Sequence, residues 1–134
     1  MSENLDVVRR QFEAFDSGGL DAMVEFWHPE IDWRAVEGAA DDAGVLRGRD
    51  AMRRYYEDWT EAFEMITTTV EEVLLDEGER LVVKLRVAGR GRASGAPADS
   101  HYFVAYTIRD GLIVRGREYA TGEEALAGAI QSRR

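Results

Sequence analysis

The chain has no cysteine. That excludes a disulfide scaffold, thiolate metal sites, iron–sulfur clusters and cysteine nucleophiles. Only two histidines are present, His28 and His101, which leaves little for a histidine-based zinc site. Positive charge is also scarce. Seventeen Lys and Arg face twenty-six Asp and Glu, a formal charge of −9, where a binder of the phosphate backbone needs concentrated positive charge. No apolar run approaches the roughly 20 residues of a membrane span, and MSENLDVVRR does not read as a signal peptide. The expectation is a soluble, cytoplasmic protein with no nucleic-acid or membrane partner. Of the 134 residues, 45% are hydrophobic and 32% charged, a globular balance that fits one domain over residues 1–134.

Periodicity organises the chain. Leu5, Val8, Phe12 and Phe15 make one apolar stripe at helical spacing, ended by Gly18 and Gly19. Leu20, Val24 and Trp27 predict a short second helix that stops at Pro29. Ile31 to Val36 reads as a strand, and residues 37–49, rich in Gly, Ala and Asp, as a loop. Asp50 is placed to cap a third helix bearing Met52, Tyr56, Trp59 and Phe63 on one face. Ile66 to Val70 is β-branched and suits a strand. Leu81 to Val87 alternates apolar and polar, with Val82 spoiling the polar side. Gly89 to Pro97 is a basic connection or a ragged strand extension. Tyr102 to Ile108 and Leu112 to Ala120 are strands joined across Asp110-Gly111, a strong hairpin signal. Thr121 and Glu124 form a capping box for a last helix with Ala125, Leu126 and Ile130 as its apolar positions.

Helices followed by a run of strands indicate an α+β fold. A four-strand antiparallel meander plus one earlier strand must cover its apolar face with the three N-terminal helices. If the sheet curls round them, a conical cavity results, a natural small-molecule site.

Several segments then resemble the SnoaL-like branch of the nuclear-transport-factor-2-like superfamily, and more distantly ketosteroid isomerase and limonene epoxide hydrolase. They are Phe12 to Gly18, Leu20 to Met23 leading to His28-Pro29-Glu30, Gly48 to Met52, Gly91 to Gly95, and Arg109 to Tyr119. The resemblance spans nearly the whole chain. It implies a curved antiparallel sheet wrapped on three helices, a cone (the cystatin-like α+β roll) whose cavity holds a small apolar molecule. It also implies a homodimer packed through the sheet and no metal or organic cofactor. Activity varies widely among such proteins, so function must come from the site.

The epoxide hydrolase has a catalytic Asp within a Trp-Arg-Asp-Tyr pattern, and the matching residues here are Gly116, Arg117, Glu118 and Tyr119. The resemblance thus points Glu118 into the cavity. A carboxyl in an apolar pocket has its ionised form disfavoured and can exchange a proton near neutral pH. The competing reading is an exposed or salt-bridged strand Glu. The same comparison aligns Arg86 as an electrostatic partner of Glu118, with Ala88 where the hydrolase has a second carboxylate, and Trp33 and Ala35 where it holds the attacking water. Indole only donates a hydrogen bond and alanine offers nothing.

His101 has the residue type for acid/base work. A two-residue loop at Asp110-Gly111 turns it toward the face of Glu118. A three-residue loop with a glycine bulge gives that face to Tyr102, Val104 and Tyr106. A rim or surface position is the other reading of His101. His28, before Pro29, reads as a cap on helix carbonyls. Trp33, Tyr56, Trp59 and Tyr106 are the expected contacts for an apolar ligand, against the plain alternative of core packing. Two functions stand side by side. One is a cofactor-independent isomerase, cyclase or hydrolase using Glu118 as acid/base. The other is a non-catalytic ligand-binding or dimerisation module of the same fold.

Overall fold

The computed structural model describes residues 2–35 and 45–131. Val36, residues 37–44 of the expected loop and the side chain of Ile130 lie outside them.

Helix α1 runs from Glu3 to Met23. The Ser2 hydroxyl accepts from the Leu5 N–H at 3.0 Å, and Glu3 and Asp6 complement the helix dipole. The break expected at the paired glycines is a kink inside this helix: Gly19 sits at φ 72°, ψ −160°. The expected second helix is therefore the continuation of α1 past Gly19, closed by a 3-10 turn at Val24–Phe26.

Trp27 is not its last apolar position. It opens strand β1, Trp27–Arg34. Pro29 disfavours helical geometry at the residue before it, and burial finishes the choice. The indole is 1% exposed, donates to Gln11 Oε1 at 3.0 Å and stacks on Tyr56 at 5.6 Å. His28 accordingly caps no helix; its Nδ1 accepts from the Glu30 N–H.

A three-residue strand, β2 (Val45–Arg47), lies in the segment expected to be loop and pairs antiparallel with β1. Helix α2, Arg49–Ala62, starts after Gly48 (φ 86°). Gly48, not Asp50, is the capping residue, and Asp50 contributes its charge to the first turn. Arg53 joins Asp21 in an ion pair that ties α2 to α1.

The meander follows as β3 (Phe63–Glu77), β4 (Arg80–Gly91), β5 (Pro97–Arg109) and β6 (Leu112–Tyr119). The six-stranded sheet has the order β2-β1-β6-β5-β4-β3 and is not closed. It is mixed rather than wholly antiparallel, because β1 runs parallel to β6. Alternation sets its two faces. Leu81, Val83, Leu85, Val104 and Tyr106 bury with Leu5, Val8, Phe12 and Met52 beneath α1 and α2. Val82 faces the other way, which explains its break in the polar pattern. It packs under helix α3 (Gly122–Gln131) with Ala125 and Ala129. The Thr121–Glu124 capping box opens α3 as expected. No described helix is long and apolar enough to cross a membrane.

Two places in this frame carry stability predictions. Met65 holds φ 55° at an irregularity that starts β3, with 74% of its surface exposed. A non-glycine residue in the left-handed region costs on the order of 1 kcal/mol. Met65→Gly is expected to stabilise the protein by about 0.5–1 kcal/mol in urea titration, despite losing a side chain. On the α3 side, the Tyr119 hydroxyl is buried without a hydrogen-bond partner among the described residues. It also fills the space a Cβ on Gly128 would need, 2.0 Å away. Tyr119→Phe removes the unsatisfied group and is expected to be neutral or to raise stability by up to about 1 kcal/mol.

Candidate functional site

Glu118 is in the last strand, opposite Val104 on β5 and two residues past Gly116. Val104 is fully buried, so this is the face covered by α1 and α2. Its carboxylate is gripped from two sides. The Trp33 indole N–H donates to Oε2 at 2.8 Å. The Tyr55 hydroxyl lies 3.1 Å from Oε2 and 3.3 Å from Oε1. Indole has no acceptor, so Oε2 is fixed as the receiving atom.

Trp33 reaches Glu118 because Gly116 lies beside it across the parallel β1–β6 pair. A Cβ at Gly116 would fall 2.1 Å from the indole Cζ3. Trp33 is 2% exposed and meets Tyr106 edge-on at 5.7 Å. Tyr55 comes from α2, one position before Tyr56. Burial first, then the charge of Glu118, raises the Tyr55 phenol far above its ordinary range, while a hydrogen bond with Trp59 opposes the shift. Burial and then Glu118 push Tyr56 up in the same way. Both phenols therefore keep their protons, and Tyr55 serves as a neutral donor.

Above this group opens a cavity of about 360 Å³. Glu118 and Tyr55 line it, together with Phe12, Phe15, Tyr56, Trp59, Phe63 and Tyr102. Thr60, Thr68 and Ser100 add hydroxyls. Ala35 and Ala88, the positions where the hydrolase comparison has polar residues, are apolar lining here. No group of three or more His, Cys, Asp or Glu among the described residues is arranged to hold a metal ion.

The expected site residues divide. Tyr56 and Trp59 face the cavity as expected, with Glu118. Trp33 and Tyr106 are not among the lining residues; they form the packed layer behind the carboxylate. Arg86 is not the partner of Glu118. On β4 it alternates with buried Leu85, and its guanidinium grips Asp99 in two hydrogen bonds of 3.0 and 2.6 Å on the exposed side. That pairing holds the Asp99 carboxyl below its usual range. His101 borders the cavity, but its Nε2 lies 2.9 Å from Glu71 and the ring is half exposed. The hairpin explains this. Asp110 and Gly111 form a two-residue turn with φ 53° and 76°. An extra residue at Val114 then shifts the register, so that Thr107 faces Arg115 and Val104 faces Glu118. The inner face goes to Tyr102, Val104 and Tyr106, and His101 turns outward.

Tyr55 is the residue of the candidate site that the helical stripe did not single out. It stands three positions after Met52 and four before Trp59, at the edge of the same stripe, so the signal was present.

Comparison with known proteins agrees with this architecture. The family model described as a SnoaL-like domain matches residues 8–116, and the chain belongs to that family. An uncharacterised protein of Mycobacterium tuberculosis, Rv0034, is 30% identical over 117 residues, 87% of each chain. Among solved structures, an NTF2-like protein of unknown function from Burkholderia pseudomallei superposes with a TM-score of 0.75 at 20% identity, covering 95% of this chain and 97% of its own. The RV0760c protein of M. tuberculosis, in complex with estradiol-17β-hemisuccinate, gives 0.76 at 14% identity, covering 92% and 97%. At these identities the structures establish the fold alone.

Proposed function

We propose that this protein binds a small, largely apolar molecule inside the cone and that Glu118 acts on it as acid/base without a cofactor. One observation carries the reading: a carboxylate held at the end of an aromatic cavity, with Oε2 fixed by two side-chain donors. The chemistry asks only for a held ligand and a group that can exchange a proton with it. Enolisation, cyclisation and isomerisation of a carbonyl compound all fit those means. RV0760c, of the same fold, holds a steroid derivative, which supports a ligand inside the cone. The alanines at 35 and 88 favour a second reading, binding without turnover, because they add no polar group to assist Glu118. Assembly as a homodimer packed through the sheet completes the proposal; sedimentation showing only monomer at micromolar concentration would refute it.

Native mass spectrometry tests the binding claim. Thr68 faces the cavity opposite Val87, and a tryptophan there would fill it. The purified protein is expected to carry a non-covalent adduct of a few hundred daltons, or to take one from a panel of aromatic ketones, and Thr68→Trp to lose it. Equal adducts on both proteins would place binding outside the cone.

A further inference from the structure

Residues of an α-helix step by about 100° around its axis, so α2 presents different strips to its two flanks. Tyr56 and Thr60, four apart, face the cavity. Ala51, Arg54, Asp58 and Ala62 face the other flank, where with Leu46 of β2 they line a second hollow of about 440 Å³. Tyr55 and Trp59 fall between these strips and line both hollows, as does Phe63 at the start of β3.

Side chains that border two hollows form the wall between them, and this wall is one layer thick. Its members hold one another. The Trp59 ring stacks on Phe63 with centroids 5.5 Å apart and planes at 29°. Its N–H hydrogen-bonds to the Tyr55 hydroxyl, since indole can only donate. Swinging the indole aside would lose the stack and the hydrogen bond together. Trp59 is therefore the panel of the wall that stays shut, and its side chain is the largest of the three.

On the reading that the cavity is a binding site, we propose that Trp59 sets the length of the ligand: the indole stops it at the flank of α2 and restricts the cone to a compact body of one or two fused rings. A volume of about 360 Å³ suits such a body. The hollow beyond the indole is the space a longer ligand would need. Trp59 acts here as a specificity-determining residue, with no part in the chemistry assigned to Glu118.

The test compares 2-naphthol with 6-phenyl-2-naphthol, which carries the same polar group and one more ring. Binding is followed by the probes' own fluorescence, because the variant lacks an indole. An added phenyl that finds room buries enough apolar surface to tighten binding by about tenfold or more. In the wild-type protein the added ring is expected to gain less than about threefold, and in Trp59→Ala at least about tenfold. Trp59→Leu, which keeps an apolar side chain against Phe63, is expected to move in the same direction and serves where the alanine variant does not fold. Adding Ala62→Trp to Trp59→Ala refills the second hollow from its far side and is expected to abolish the gain.

A wild-type protein that already prefers the longer probe by about tenfold overturns the role of Trp59, without recourse to any variant. So do folded Trp59 variants that keep the wild-type ratio of the two probes. A gain retained by the doubly substituted protein overturns the second hollow as the place of the added ring. Each of these results leaves the cavity reading standing. Failure of 2-naphthol to bind the wild-type protein and the variants alike overturns the cavity reading itself.

Discussion

Replacing Glu118 by glutamine is expected to lower turnover by about 10²–10⁴-fold, the usual contribution of a positioned acid/base group. Glutamine keeps the length and shape of the side chain. Its amide oxygen can still accept from the Trp33 N–H, now at 2.8 Å from Oε2, so the packed layer behind the site is retained. What disappears is the capacity to take and return a proton. The measurement is product formation from the ligand identified by mass spectrometry, beside a thermal melt of both proteins. A melt unchanged to within about 3 °C with turnover lost assigns chemistry to Glu118. Product formed at the wild-type rate by the folded variant would remove the carboxyl from the mechanism. Absence of product from either protein would leave the non-catalytic binding reading in possession.

Gly116→Ala is the second large effect, and it acts through packing. The added methyl would lie 2.1, 2.3 and 2.8 Å from three atoms of the Trp33 ring. Nothing near the ring yields easily: Trp33 is 2% exposed and Tyr106, equally buried, stands against it. Overpacking of a filled core costs about 1–3 kcal/mol. For a domain of this size that corresponds to a fall of roughly 3–12 °C in melting temperature. The indole must also swing away from Glu118, whose Oε2 then keeps the Tyr55 hydroxyl but loses the indole donor. Trp33→Phe separates the two consequences. Phenylalanine fits beside Gly116 and lacks the N–H, so its melting temperature is expected to fall less than that of Gly116→Ala, while the indole donor to Glu118 is lost in both. Thermal melts and ligand titrations of the pair check this. A Gly116→Ala protein as stable as wild type would contradict the close approach of β1 and β6.

The fold was legible in the sequence wherever one physical rule acted alone. The helical stripe at Leu5–Phe15, the Asp110-Gly111 turn and the Thr121–Glu124 cap appear where their spacing puts them; the stripe of the third helix holds from Met52 to Trp59, but Phe63, its expected last position, opens strand β3. Val82 was legible as an anomaly, and α3 supplies its cause. The failures occur where a second effect competes. Trp27 satisfies a helical spacing, but Pro29 and the burial of a large indole favour a strand. Three-residue β2 is too short to leave a pattern.

The hairpin shows the limit most clearly. Its turn has the two-residue length of one expectation, yet the inner face belongs to the residues of the other, because one extra residue at Val114 reverses the alternation beyond it. Counting from the turn cannot detect a bulge several residues away. Glu118 was reachable through its match to the hydrolase pattern. Arg86 was not separable from an inward residue by alignment, since the inversion of a strand's faces is decided by what packs on each side. Tyr55 stood beside the stripe in plain view, and its role depends on the distance to a residue 63 positions later.

The most direct measurement is the electron density of crystals of the protein with its ligand. The expected result is density enclosed between α1, α2 and the sheet, with a polar or charged atom of the ligand within hydrogen-bond or ion-pair distance of the Glu118 carboxylate. Ligand density on the exposed face beside Arg86 and His101, with the interior of the cone empty, would contradict it.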